Sequence, residues 1–324
     1  MKLTVFIHTN PQQYLGAKVA EYAMRKTSSN NDKFDVKIIN LPDYQALYKY
    51  DGQPYLRAGK RVLWNNRDLQ SFTPLRFLPP QLMGYQGRAI VIDPDVFALS
   101  DIYELLTQDM QGKPILCRKM YRSGKAHYYA SSVMLLDCAQ LTHWQWEKQI
   151  DEMFSFKRDY RPWNTLLMEP EDSIGYLAEE WNHYDTLNEK TKLLHNTQRN
   201  TQPWKTGLPI DYIKHQNYET KPIVSPKKKF GIIPPSWISQ IKALFQKNQE
   251  YSPHGFYEKH PDPNQEKFFF SLFKECLEQG VFTEDYVQSE IEKKHIRPDM
   301  MQVLEHLNLN TQFMPRTPKV STGS

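Results

Sequence analysis

Residues 88–101, Arg-Ala-Ile-Val-Ile-Asp-Pro-Asp-Val-Phe-Ala-Leu-Ser-Asp, constrain the fold of this chain more than any other stretch. An unbroken apolar run at 89–92 stops at two carboxylates one residue apart. A short β-branched run without polar alternation reads as a strand covered on both faces, as in the parallel part of an α/β sheet. Side chains alternate in extended backbone, so Asp93 and Asp95 are expected to point the same way. Their oxygens could then share one divalent cation, or bracket a sugar or phosphate. Pro94 offers no N–H and fixes φ, so the sheet ladder is expected to end there. Both carboxylates then fall in the crevice beyond the strand ends, where open α/β sheets bind ligands. Taken alone, Asp-Pro-Asp is also ordinary turn chemistry, a solvated strand-to-loop connection.

The flanking sequence supports an α/β alternation. Residues 3–7, Leu-Thr-Val-Phe-Ile, read as a buried first strand ending at His8, Thr9 and Asn10. Leu15, Val19, Tyr22 and Ala23 follow at helical spacing within 13–24. His8, Thr9 and Asn10 either face a ligand or simply cap that helix. A second strand at 34–40 completes a β-α-β unit and implies a parallel sheet with a right-handed crossover. Residues 44–66 are aromatic-rich with no clear period and are left unassigned. Pro74 opens a short helix leading to Leu82, and Arg76 sits within it as either a surface cation or a phosphate ligand. Ser100 or Asp101 caps a further helix, and residues 114–117 and 132–136 read as core strands. Trp144, Trp146 and Ile150 have the spacing of a buried helix face. The run 193–195, Leu-Leu-His, is another apolar stretch that ends in a polar group.

The composition narrows the class. The 324 residues carry 40% hydrophobic and 24% charged side chains and a net charge of +4, a globular balance that argues against a dedicated nucleic-acid binder. Cys117, Cys138 and Cys276 are odd in number and far apart, which suggests neither a disulfide framework nor a zinc site and suits a reducing cytoplasm. The apolar run behind Lys2 is too short for a signal peptide or an anchor. From about Lys221 the character changes. Pro222, Pro226, the run Lys227-Lys228-Lys229 and Pro234-Pro235 read as a linker, and the rest as mostly helical, at 237–245, 266–277, 285–296 and 299–307. The division expected is a first domain over 1–224 and a helical extension over 225–324 with a disordered tail.

The order of these segments resembles the glycogenin-like, retaining glycosyltransferases of family eight. The likeness is carried by Ser-Phe-Thr-Pro-Leu-Arg-Phe at 71–77, Gly-Arg-Ala-Ile-Val-Ile-Asp-Pro-Asp-Val at 87–96, Ser-Val-Met-Leu-Leu-Asp at 132–137, His195, and Pro203-Trp204. The resemblance implies a GT-A fold, a Rossmann-like mixed sheet between helices that binds a nucleotide-diphosphate sugar, UDP-linked first among them, through Mn²⁺ or Mg²⁺. It also implies transfer of a hexosyl group, with retention, to the hydroxyl of an unidentified glycan, lipid or protein acceptor. Asp93, Asp95 and His195 match the family's metal ligands. His8, Thr9, Asn10, Arg76 and Asp93 match donor-side positions. Where the family has Asn-Ser-Gly this chain has Ala130-Ser131-Ser132. The phosphate-contacting Lys before Pro-Trp is Gln202, with Arg199 or Lys205 as substitutes. The catalytic Asp-Gln pair has its nearest counterpart at 169–172, with Asp172 the candidate.

Two other classes fit parts of the pattern. A haloacid-dehalogenase-like phosphatase places Asp-x-Asp after an apolar strand with the first Asp as nucleophile, although normally after the first strand. A decayed nucleotide-binding scaffold would keep the fold without the chemistry. For the C-terminal third, packing on the first domain competes with peripheral contact to an anionic membrane.

Overall fold

The computed structural model describes residues 2–121, 127–198, 200–212 and 255–307. The apolar runs read from the sequence do form strands. β1 (Leu3–Thr9) lies parallel to β2 (Asp35–Asn40) on one side and to the strand that ends just before Asp93 on the other. Between β1 and β2 runs helix α1 (Tyr14–Thr27), the crossover that two parallel strands require.

The unassigned stretch holds a hairpin, β3 (Pro54–Arg57) and β4 (Lys60–Leu63). Its turn residues Ala58 and Gly59 have φ of 53° and 73°, and such left-handed pairs match the twist of hairpin strands. No Asn-Gly or Asp-Gly announces this turn. Instead Asp159 accepts both turn N–H groups at 2.8 and 2.6 Å, a tertiary clamp that local sequence does not reveal.

The central strand β5 (Arg88–Ile92) ends at the residue before Asp93. A short β6 (Val96–Ala98) follows, and β7 (Ile115–Tyr121) and β8 (His127–Asp137) are both longer than their apolar cores suggested. With β9 (Ile174–Tyr176) the main sheet has six strands in the order β2-β1-β5-β8-β7-β9, parallel on one side and antiparallel through β8. A second, three-stranded sheet pairs β10 (His183–Tyr184) with β11 (Leu193–His195), and β11 with β6. That pairing aligns His195 with Val96, next to Asp95.

The alternation in β5 sorts its residues between two cores. Ile90 and Ile92 join Val5, Ile7, Val133 and Leu135 under α1, whereas Ala89 and Val91 join Phe6, Met134 and Leu136 under Trp144, Trp146 and Ile150. This is the doubly covered strand expected from its unalternating composition.

The helix Pro263–Glu278 belongs to the first of these cores. Phe268, Phe269, Phe270, Leu272, Phe273 and Cys276 are buried together with Ala17, Ala20, Ala23 and Met24 of α1. Lys26 Nζ and Tyr22 Oη seal the edge by donating to Glu275 at 2.5 and 3.0 Å. Helices Glu284–Glu292 and Met300–His306 follow. The expected linker, the helix at 237–245 and the tail from 315 lie outside the described residues. Among the described residues no helix is long and apolar enough to cross a membrane.

Candidate active site

The ladder stops at Ile92, as the Pro94 argument requires, and the Asp93 N–H still donates to Ser132 O of β8 at 3.0 Å. The turn is held from behind by α1. A Cβ added at Gly16 would come within 2.8 Å of the Pro94 carbonyl oxygen, so only glycine lets the helix approach this closely. Asp93 is 7% exposed and His195 4%, on the lining of a cavity of about 220 Å³.

Asp93, Asp95 and His195 each offer one atom within 4.8 Å of the others. His195 Nε2 lies 3.3 Å from Asp95 Oδ1 and 3.9 Å from Asp93 Oδ2. Its Nδ1 sits 2.9 Å from Asn182 Oδ1, which fixes the tautomer with the proton on Nδ1 and turns Nε2 toward the carboxylates. Burial would lower the His195 pKa, but Asp95, and then Asp93, raise it above the ordinary value. Asp95 Oδ1 is buried with no closer hydrogen-bond partner than His195 Nε2 at 3.3 Å among the described residues, and Oδ2 takes the amide of Gln202 at 3.0 Å. Gln13 donates in turn to Gln202 Oε1 at 3.1 Å. One nitrogen and two carboxylate donors fit a hard divalent cation such as Mn²⁺ or Mg²⁺.

Asp93 has a second set of partners. The Arg76 guanidinium grips it through Nη2 at 2.5 and 2.8 Å and through Nε at 3.0 Å. His8 Nε2 lies 2.7 Å from Asp93 Oδ1. Burial lowers the His8 pKa more than Asp93 raises it, so the ring is neutral and donates through Nε2. Burial alone would raise the Asp93 pKa, but Arg76 and then His8 hold it far below the usual carboxylate range. Arg76 Nη1 reaches on to Ser131 Oγ at 3.0 Å and Asn164 Oδ1 at 3.2 Å.

The structure thus brings together Asp93, Asp95, His195, Arg76 and His8. Thr9 and Asn10 are fully buried and absent from the cavity lining. Asn10 reaches the carbonyls of Asp68 and Leu69 at 3.0 and 3.2 Å, pinning the loop whose Leu69, Gln70 and Phe72 line the cavity. Lys205 is buried and absent from the cavity lining, and its Nζ pairs with Asp211 at 2.5 Å. Arg199 lies outside the described residues. Asp172 stands on an exposed turn off the cavity, where its carbonyl accepts from Lys113, while Glu169 bonds Trp144 and His143.

The residues that line that wall instead are Arg161, Asn164 and Thr165, on and just after helix Tyr160–Asn164. Sequence reasoning passed over them. The only local signal was Asp159, which caps this helix by accepting the Arg161 N–H at 2.8 Å. Tyr128, Tyr184, Gln13 and Gln70 are also on the polar lining. Cys117, Cys138 and Cys276 are buried and unpaired, and burial raises each thiol's pKa, so none supplies a thiolate nucleophile.

The six-stranded mixed sheet between helices, with further helices after it, is the layout expected of a GT-A fold. No protein-family model matches this chain, and no curated protein does either. Among solved structures it is similar to the glycosyltransferase GlyE of Streptococcus pneumoniae TIGR4, at 11% identity and a TM-score of 0.44 over 78% of this chain and 65% of that one. The galactosyltransferase LgtC, in complex with donor and acceptor sugar analogues, has 11% identity and a TM-score of 0.42 over 74% of this chain and 100% of LgtC. Mouse xyloside xylosyltransferase 1 has 14% identity and a TM-score of 0.38 over 61% and 97% of the two chains. Likenesses of this depth assign neither family nor activity.

Proposed function

We propose that this protein is a metal-assisted glycosyltransferase that moves a hexosyl group from a nucleotide-diphosphate sugar to an acceptor hydroxyl with retention. The observation that carries the reading is the Asp93–Asp95–His195 cluster, with Asp93 and His195 buried, on the lining of a polar cavity beyond the strand ends. Asp93, Asp95 and His195 would hold a divalent cation, which would supply positive charge against a departing diphosphate.

The protein's own groups do the rest. Asn182 orients His195, and Gln202 steadies Asp95. Arg76 keeps Asp93 ionised while tying it to the wall that carries Asn164. Among the described residues, Asp93 and Asp95 are the only carboxylates on the cavity lining. With both in the metal cluster, the described lining offers no further carboxylate to activate a hydroxyl for inversion, in keeping with transfer on the face of departure. The volume of about 220 Å³ is below that of pockets enclosing whole drug-sized ligands, so the nucleotide would lie partly in the open groove. Three buried free cysteines suit a reducing compartment.

A phosphatase with Asp93 as nucleophile fits less well, because Asp93 follows β5 and not the first strand. Calorimetry with UDP and Mn²⁺ tests the proposal. Wild type is expected to bind UDP only with the metal, and Asp95→Asn to lose that dependence with stability within about 1 kcal/mol of wild type. Metal-dependent UDP binding of wild-type strength in the variant would sink the assignment.

A further inference from the structure

Within the glycosyl-transfer reading, one charged group of the cavity has no use so far. Arg161 lines it, half-buried, on helix Tyr160–Asn164. Its backbone is committed, the N–H to Asp159 and the carbonyl to Thr165 Oγ1 at 2.8 Å. The guanidinium makes no hydrogen bond or ion pair with any described residue. Other cations nearby are spoken for: Arg76 by Asp93, Ser131 and Asn164, Lys205 by Asp211, and Arg158 by Glu152. A half-buried charge that loses water without gaining a partner is costly, and a fixed fork of donors is shaped for an oxyanion.

Arg161 stands about one helical turn from the Arg76–Asn164 contact. Arg76 spans from Asp93, through Nη2, to Asn164, through Nη1. Asn164 follows Arg161 by three residues, so the two are neighbours on the helix, about 4.5 Å apart along the axis. The neighbouring lining groups, Asn164, Thr165 and Ser131, are neutral amides and hydroxyls of the kind that bind sugar hydroxyls. No lining carboxylate other than the cluster's own competes for an anion placed there.

We propose that Arg161 recognises a carboxylate or phosphate substituent on a sugar in the cavity, carried by either the transferred sugar or the acceptor. The specificity is then for an acidic sugar, and Arg161 selects it without touching the bond that breaks.

The test uses full-length protein with Mn²⁺ in calorimetry. The donor arm compares UDP, UDP-glucose and UDP-glucuronate. The acceptor arm titrates glucose and glucose 6-phosphate into the UDP–Mn²⁺ complex. Wild type is expected to favour the charged member of one arm by about tenfold or more. Arg161→Gln should erase that preference, with the loss confined to the sugar-bearing ligands, and Arg161→Lys should keep part of it. Preference in the donor arm assigns the anion to the transferred sugar, and preference in the acceptor arm to the acceptor. If wild type binds UDP with Mn²⁺ but shows no charge preference in either arm, the proposal is overturned while the glycosyl-transfer reading stands. The same holds if Arg161→Gln weakens UDP as much as the sugars, for Arg161 then serves the diphosphate. If wild type does not bind UDP with Mn²⁺, the underlying reading falls and this one with it.

Discussion

Replacing Arg76 with Met removes the cation beside Asp93 and keeps most of the side-chain volume. Wild-type Arg76 makes three contacts to the carboxylate, at 2.5, 2.8 and 3.0 Å, in a site where Asp93 is 7% exposed. Breaking one partner of a buried pair costs about 3–5 kcal/mol, because the remaining charge is left uncompensated. His8 stays to donate one hydrogen bond, which places the expected loss at the lower end, about 3 kcal/mol. The pH dependence should change sign. In wild type the Asp93 pKa is below its unfolded value, so its contribution is complete above about pH 4 and is lost as pH falls further. In the variant, burial dominates and raises the pKa above the unfolded value, so the penalty present at neutral pH is relieved as pH falls. Mn²⁺ should stabilise the variant more than wild type, because Asp93 no longer divides its charge between Arg76 and the metal; saturation at 100 Kd is worth about 2.7 kcal/mol. Urea unfolding at pH 7 and pH 5, with and without Mn²⁺, reads all three effects. A metal-free loss under about 1 kcal/mol, or weaker Mn²⁺ stabilisation in the variant, would refute a buried pair that competes with the cation.

Asn182→Ala removes the acceptor that orients His195 and should weaken Mn²⁺ binding about 10–100-fold, read by calorimetry, with a smaller effect on folding. Gly16→Ala gains about 1 kcal/mol of helix propensity but forces a 2.8 Å contact with the Pro94 carbonyl, so the carboxylate turn must shift. Mn²⁺ affinity should fall even where thermal stability does not, and unchanged affinity would show that the turn is free to adjust. Phe269 is wholly buried against Phe97 and Trp204, with ring centroids 5.6 and 4.7 Å away, and Phe269→Ala should cost about 3–5 kcal/mol in urea unfolding.

What could be read from the sequence was what local chemistry determines. The β5 run, its stop at Pro94 and the paired carboxylates depend on neighbours in the chain, so composition and the alternation of extended backbone were enough. The resemblance brought His195 to the same site, and the β6–β11 pairing gives the physical reason: it sets His195 opposite Val96. The hairpin at Pro54–Leu63 was illegible because Asp159, about a hundred residues away, holds its turn. Arg161 and Asn164 were missed for a related reason. They sit on a five-residue helix too short to show a period, and it is placed on the cavity by tertiary contacts from Arg76, Ser131 and Thr73. Asp172 and Lys205 are near familiar motifs in sequence, but Asp172 is absent from the cavity lining and Lys205 Nζ pairs with Asp211.

The C-terminal helices do more than cover apolar surface, because their polar contacts fall on the residues that flank the cluster. Asn196, next to His195, gives its N–H to the Asp95 carbonyl at 3.0 Å and its side-chain amide to Gln265 at 2.5 Å. Arg297 donates its N–H to the Trp204 carbonyl at 2.8 Å and its guanidinium to Pro203 O at 3.3 Å, just beyond Gln202. Gln202 in turn holds Asp95. Two tethers from one helical unit therefore end on both sides of the same carboxylate, and Phe269 lies against Trp204 and Phe97 between them. A loop that must present a metal ligand to within a few tenths of an ångström gains rigidity from such ties. Loosening these helices should consequently be felt first at the cation site, before the sheet that carries Asp93 begins to unfold.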